Sequence, residues 1–351
     1  MICIGLDVHD RNTTVAICDD ISCEVRKKPD EVPTSQLSRF LATVPREDTR
    51  IALEAGGGKS HFVAKELLSC GFDVLMVDPF RVSRFFEGVK TSKSDRLDAV
   101  ALAETLARGL LDSYQVWIPD DDTRRLREVT RARRDLVKDS TAWRNRIRRL
   151  LARHGLKCKP RDLMGKSAQH ELHTLVEQLP VEVAVTLNVM LGQLHSLQEA
   201  IKLLESVLKK MVKDNPMVLL LQTMCGAGLI LASTITAEIG TIERFASACK
   251  LRGYSGLVPR NEQSGERSST GPLRLRGNEH LRWALIQLAA CFTNATSTAE
   301  LSLTRRYRQK VYVHGPNPAR VDLARKLTTI IFAMLRDGTE FDAERYMETA
   351  D

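Results

Sequence analysis

The 351-residue sequence contains no CxxC pair, no HExxH and no apolar run of membrane-spanning length. Its eight cysteines (3, 18, 23, 70, 158, 225, 249 and 291) are scattered, which argues against zinc and against a disulfide framework and points to reduced, structural thiols. His170 and His173 stand three residues apart without the cysteine or carboxylate neighbours a zinc site needs. The N-terminus lacks a basic segment leading into an apolar one, so no membrane partner and a cytoplasmic location are expected. A phosphate-binding loop is missing too. Residues 56–60 (GGGKS) end like one, but GxxxxGK[ST] requires glycine at position 53, which is Leu53. Nucleotide hydrolysis is therefore set aside, and these glycines read as a sharp turn beside Glu54.

What is present describes a globular chain. Hydrophobic residues make up 43% and charged residues 27%, over a length sufficient for two or three domains with substantial cores. The formal net charge of +8 is concentrated. Residues 124–153 hold twelve Lys or Arg against three acids, whereas the rest of the chain is almost balanced, with forty basic and forty-one acidic residues. A solvated helix face accounts for many charge runs. This density favours a polyphosphate partner.

Four segments follow from the patterning: 1–120, 121–213, 214–300 and 301–351. In the first, apolar β-branched runs at 1–8 and 13–18 flank the turn-prone HDRN and predict a hairpin; 50–53 and 73–77 predict two further buried strands. Helical patterns lie around 36–42, 61–70 and 95–108. Strands first, then alternating helix and strand, suit an RNase H-like (RuvC-like) α/β domain, with a doubly wound fold as the competitor. In the second segment, Leu187, Met190, Leu194, Leu197, Ile201, Leu204, Leu208 and Met211 keep alternating 3–4 spacing. A weaker seam, Leu126, Val129, Leu136, Trp143, Ile147 and Leu150, is interrupted at Arg133 and Ser140. An antiparallel helical hairpin or a dimerising coiled coil is expected, its arginines facing outward; ordinary bundle core is the plainer account. The third segment is mostly helical, around a loop-rich stretch at 253–278, and the fourth adds basic residues and an apolar helix near 323–335.

Four acids carry chemistry. Asp7 closes the first strand, Glu54 closes another, and Asp95 and Asp98 stand one helical turn apart. Carboxylates drawn together repel unless cations lie between them, so a convergent set implies Mg²⁺ or Mn²⁺. Two such ions are the usual device for phosphodiester chemistry. Each acid alone reads as a cap or surface residue, and Asp95 is a natural helix N-cap. Cys225-Gly226-Ala227-Gly228 resembles the turn of a helix-hairpin-helix element, where Gly226 and Gly228 would offer backbone N–H groups to a phosphate. The segment 256–265, with Arg260, leads into Arg267, Arg274, Arg276 and Arg282. Its Ser264 precedes a glycine on an irregular loop, although residue chemistry does not separate it from Ser255, Ser268 or Ser269.

The chain resembles the DEDD transposases of insertion sequences of the IS110 type. The resemblance is carried by IGLD (4–7), LEAGG (53–57), KSDRLDA (93–99), CGAG, and GLVPRNEQSG followed by RGNEHLR. That family often has Thr-Gly and an aromatic after the glutamate, where this chain has Gly56-Gly57-Gly58-Lys59, which bears on packing beside Glu54. The resemblance implies a RuvC-like domain, a coiled coil and a mostly helical, serine-bearing transposase domain. It also implies metal binding by Asp7, Glu54, Asp95 and Asp98, and Ser264 as nucleophile. It further implies donor and target DNA with a guide (bridge) RNA as partners, a tetramer built from dimers, and a nucleoid-associated location. Contacts to nucleic acid are expected from Arg124, Arg125, Arg131, Arg134, Arg144 and Arg148, and from Arg260, Arg267 and Arg276. Two rivals stand: a RuvC-like endonuclease or junction resolvase that uses water and has no need of Ser264, and a non-catalytic nucleic-acid scaffold.

Overall fold

A computed structural model of the chain describes residues 1–19, 21, 23–25, 29–56, 59–86, 95–160, 162–264, 267–273 and 277–347; for 84–86, 95, 259–264 and 267–273 it describes the backbone. The chain divides into two units, Met1–Ile118 and Pro119–Asp351.

The first unit is an α/β layer built on five strands: β1 (Ile2–Val8), β2 (Asn12–Asp19), β3 (Asp30–Pro33), β4 (Thr49–Glu54) and β5 (Asp73–Val77). Their order is β3-β2-β1-β4-β5. The predicted hairpin forms, with β1 antiparallel to β2 from Ile2↔Asp19 to Val8↔Thr13. β4 lies parallel to β1, and β5 parallel to β4. Among the described residues, four α-helices complete the unit: α1 (Leu37–Leu41), α2 (Ser60–Ser69), α3 (Pro79–Phe86) and α4 (Asp95–Ala107). β3 and α3 have no counterpart in the sequence patterns. β3 is four residues long, buries only Val32 and ends in proline, so it carries no readable alternation.

Side-chain alternation divides the sheet between two cores. On one face, Ile4, Leu6, Ile51, Leu53, Val74 and Met76 pack with Leu37 and Leu41 of α1 and with Val63 and Leu67 of α2. On the other, Cys3, Ala16, Cys18, Ala52, Leu75 and Val77 pack against Ala99, Leu102, Ala103 and Leu106 of α4. Gly5 belongs to this second face, and it admits the helix. A Cβ there would stand 2.1 Å from the Ala99 carbonyl oxygen and 2.5 Å from the Ala103 nitrogen. The α4 backbone thus rests on the middle of β1, closer than any side chain permits.

Among its described residues, the second unit is helical apart from one β-ribbon. It comprises α5 (Asp121–Arg153), α6 (Lys166–Val176), α7 (Val181–Met211), α8 (Pro216–Gln222), α9 (Leu229–Ile239), α10 (Ala248–Ser255), the strands β6 (Pro259–Ser264) and β7 (Arg267–Leu273), α11 (Glu279–Asn294), α12 (Ser302–His314) and α13 (Pro316–Asp337). α5 and α7 pair antiparallel within the chain. Leu187, Leu194, Ile201 and Leu208, seven residues apart, are buried along the seam. The two breaks in the α5 pattern meet polar partners: Gln198 donates to Ser140 Oγ at 3.1 Å, and Arg133 to Glu205 at 2.7 Å. Polar rungs of this kind fix register at some cost in stability.

α9 is buried from Leu231 to Ile239 and is the axis of the main core. That core gathers Leu126 of α5, Leu208 of α7, Leu288 and Phe292 of α11, and Leu327 and Ile331 of α13. One apolar interior therefore runs through the segments 121–213, 214–300 and 301–351. A second, smaller core at the far end of the helical pair joins Ile147 and Leu151 to Leu172 of α6 and Leu194 of α7. Among the described residues, no helix is long and apolar enough to cross a membrane.

Candidate active site

The acids of the first unit lie where parallel strands end. Leu6 and Leu53 form the last pair of the parallel β1–β4 ladder, and the residues that follow them are Asp7 and Glu54. By alternation Asp7 shares a face with Gly5, and Glu54 with Ala52, which is the face α4 covers. Asp98 precedes Ala99, the residue whose carbonyl rests on Gly5. Close helix–strand packing thus brings the first turns of α4 over the strand that carries Asp7. All three carboxylates are half-buried. Asp95 opens α4; its side chain lies outside the described residues, as does Lys93.

Two nearby contacts were not foreseen from the sequence. His9 Nε2 lies 3.2 Å from Asp7 Oδ2, and Lys59 Nζ donates to the Asp10 carbonyl at 2.6 Å. The second bond ties the segment after Glu54 to the turn after β1, so the lysine of GGGKS works on backbone. Gly57 and Gly58 fall outside the described residues. As ligands, carboxylates are the hard oxygen donors that Mg²⁺ and Mn²⁺ take, and Asp7 and Glu54 are neighbours on one edge. Among the described residues, no three His, Cys, Asp or Glu side chains converge to hold an ion. Donor chemistry and edge placement therefore fit a divalent cation, while the full ligand set is not assembled from the described side chains alone.

In the second unit, Ser264 closes β6 opposite Arg267 of β7. It ends a strand at the tip of a hairpin, which corrects the expected irregular loop. Pro259–Ser264 (PRNEQS) and Arg267–Leu273 (RSSTGPL) are polar, so they carry no core-facing alternation. The usable signal was the two-residue spacer Gly265-Glu266, a composition suited to tight hairpins. Those two residues, Arg274 and Arg276 lie outside the described residues, as do the side chains of Ser264, Arg260 and Arg267.

The hairpin's neck is pinched. A Cβ on Gly277 (φ +123°) would meet Gly256 N at 2.7 Å and Tyr254 O at 2.8 Å, and Asn278 N donates to Tyr254 O at 2.7 Å. Asn278 also caps α11 by accepting from His280 N and Leu281 N. Its amide donates to Glu238 Oε2 at 2.7 Å and to Tyr254 Oη at 2.9 Å. Glu238 is fully buried, and Arg131 grips it with both prongs, Nε to Oε1 at 2.7 Å and Nη2 to Oε2 at 2.8 Å. Burial pushes the carboxyl up, but the bonds from Arg131 and Asn278 outweigh it and leave the group below its ordinary value. Arg127 donates to the Ala237 and Glu238 carbonyls, and Arg244 to those of Ile239 and Glu238, so two guanidiniums cap the C-terminus of α9.

The arginines of α5 therefore do not all face outward. Arg127 and Arg131 turn toward α9, Arg133 toward α7, and Arg134 toward His280 Nδ1 (2.7 Å) and Glu279 (3.3 Å). Arg124 pairs with Asp121, Arg125 with Asp122 and Arg144 with Asp162; Arg148 donates to the Pro160 carbonyl. Outward cations at the far end are Arg146, Arg149 and Arg153, lining a cleft of about 590 Å³ beside Met190. Net charge alone did not separate these from the inward set. At the α8–α9 turn, Gly226 (φ +84°) lies against the α11 backbone, where a Cβ would stand 2.8 Å from Phe292 N; packing accounts for this glycine. Gly228 is the exposed N-cap of α9.

Comparison with known proteins decides the family. A DEDD transposase profile of the IS110 type matches residues 4–155, and a profile described as transposase of the IS116/IS110/IS902 family matches residues 218–303. The chain belongs to this family of transposases. DNA transposition is thus its activity class, and membership implies a RuvC-like fold for the first unit. This transposase is 28% identical over 310 residues to the transposase for insertion sequence element IS1328 of Yersinia enterocolitica, spanning 87% of this chain and 89% of that protein. It is 29% identical over 297 residues to the transposase for insertion sequence element IS1111A of Coxiella burnetii (81% and 77%). It is 25% identical over 305 residues to the pilin gene-inverting protein of Moraxella lacunata (83% and 81%). The first profile spans all four acids, and the second spans the CGAG turn and Ser264.

Proposed function

We propose that this transposase is an RNA-guided recombinase that excises and inserts an insertion sequence by serine attack on DNA. Ser264 Oγ attacks a scissile phosphorus as the P–O3′ bond breaks. The 5′ side stays on the protein as a phosphoserine ester, and the 3′ oxygen leaves and takes up the proton the serine gives away. Attack by a partner strand's 3′-OH on that ester restores a phosphodiester and returns the proton to Ser264. The number of phosphoester bonds is conserved, so no nucleotide hydrolysis is needed, in keeping with the failed P-loop pattern. A divalent cation bound by Asp7, Glu54, Asp95 and Asp98 would offset phosphate charge and ease deprotonation of the attacking hydroxyl. Within this reading, His9 orients Asp7, and the Asp7 and Glu54 strand ends present their oxygens on one edge.

Arg124, Arg125, Arg144 and Arg148, together with Arg146, Arg149 and Arg153, hold the backbone of the guide RNA, leaving target sequence to be read by base pairing. Serine and acids that act together come from different subunits of a tetramer. The observation that carries the catalytic reading is the placement of Asp7 and Glu54 at adjacent parallel strand ends, on the face that α4 covers through Gly5. Support for rejoining over simple hydrolysis comes from a relative named for inverting a pilin gene, since inversion requires that every cut be resealed.

The test is a covalent trap. With guide RNA, Mg²⁺ and end-labelled DNA, the unmodified protein is expected to give a denaturant-stable protein–DNA adduct that Ser264→Ala abolishes. Cleavage retained in Ser264→Ala with no adduct would replace this mechanism by a RuvC-like endonuclease or junction resolvase that uses water.

A further inference from the structure

Nearly all of α12 and the whole of its partner α13 lie beyond the segment the second family profile matches, and with α10 they enclose a cleft of about 560 Å³. Arg252 of α10, Arg306 of α12, and Arg325 and Lys326 of α13 all line it. The acid in the lining, Asp322, is taken by Lys310 Nζ at 2.5 Å. Among the described residues, none of the four cations forms an ion pair, in contrast to Arg131, Arg133, Arg134 and Arg144 on α5. Arg325 Nε is closed off from solvent without a hydrogen-bond partner. Tyr307 and Tyr346 also line the cleft.

Four like charges gathered at a concave surface repel, and a desolvated guanidinium N–H left unbonded is a further cost. Both penalties are removed by an anion with several acceptor oxygens. Guanidinium forks match phosphate oxygens in pairs, and tyrosine hydroxyls are common donors to the same groups. An isolated small anion would leave part of a cleft this size empty, whereas neighbouring phosphates of a strand present acceptors at intervals along it. We propose that this cleft is a second nucleic-acid site of the transposase, gripping the phosphodiester backbone through Arg252, Arg306, Arg325 and Lys326. It depends on the chain acting on nucleic acid and not on the role assigned to Ser264.

Arg306 and Lys326 are exposed, so Arg306→Gln with Lys326→Gln removes two charges and leaves the core intact. A control variant, Lys209→Gln with Lys213→Gln, removes the same charge from exposed positions outside the cleft. Binding of the full chain to a short mixed-sequence DNA duplex and to single-stranded RNA is measured by fluorescence anisotropy across a salt series. For the strand that occupies the cleft, the cleft variant is expected to lose about two from the slope of log K against log salt and roughly tenfold in affinity, at unchanged Tm. The control should change little. Loss on DNA alone assigns the cleft to donor or target DNA, loss on RNA alone to the guide, and loss on both to the shared backbone. Slopes and affinities equal to the unmodified protein on both probes, or equal losses in the control, would overturn the proposal.

Discussion

Two carboxylate environments set the two units apart. Glu238 is sealed in the second unit, and Arg131 and Asn278 occupy its oxygens, so its charge is spent on architecture. Asp7 keeps 21% of its side chain exposed at the edge of a sheet, beside a histidine. A buried carboxylate needs its compensation built in; one at the end of a parallel strand keeps solvent access and can exchange partners. Of the two, the edge carboxylate is the one that the proposed function assigns to a cation. Glu238 instead steadies the neck of the hairpin that carries Ser264.

Substitutions should separate the two roles most sharply where the acids are removed. Asp7→Ala and Asp98→Ala are each expected to lower strand cleavage by about 10³-fold, equivalent to about 4 kcal/mol of transition-state stabilisation, with thermal unfolding unchanged. Cleavage within a few-fold of the unmodified protein would remove the acidic edge from the mechanism. Glu238→Ala should behave in the opposite way, costing about 3–5 kcal/mol of stability because Arg131 loses its buried partner. Denaturant titration of the full chain reads this directly, and an unchanged midpoint would show that the cluster is dispensable.

A packing change bridges the two. Gly5→Ala puts a methyl group against the α4 backbone and should cost about 1–3 kcal/mol, more if α4 cannot shift. Because α4 carries Asp98, cleavage should fall further than the loss of folded protein explains, which activity normalised to folded fraction would reveal.

The smallest effect is on pH dependence. Glu238 is held below its ordinary value of 4.5 in the folded state. As pH falls through that value the unfolded chain takes up the proton first, so this stabilisation is present above about 4.5 and is lost below it. His280 is also held below its ordinary 6.5, chiefly by burial and then by Arg131. It carries no penalty above 6.5, and stability is lost as the pH drops below that point. Glu238→Gln should flatten the lower part of the acid limb in a Tm-versus-pH series, while a loss below 6.5 from His280 persists because Glu238 no longer opposes its depression.

Regular elements with an apolar period were legible from residues alone. β1, β2, β4 and β5, the helix α4, and the seven-residue spacing of α7 all lie within a residue or two of where alternation or periodicity puts them. Elements without a period were not: β3 is too short, and the β6–β7 ribbon is polar along its length. The direction of a cation was also invisible. Arg131 and Arg149 look alike in a basic run, yet one is clamped on Glu238 and the other lines an open cleft.

By itself the sequence determined the α/β and helical halves, the identity and order of the acids, and the family to which they belong. These depend on spacing along the chain, which local hydrophobic patterning encodes. Only the tertiary structure decided why Gly5 is glycine, which arginines are committed to Glu238 and which stay open, and that the cations of α10, α12 and α13 share one cleft. Such facts arise where residues far apart in sequence meet, and a one-dimensional pattern carries no record of which faces will touch.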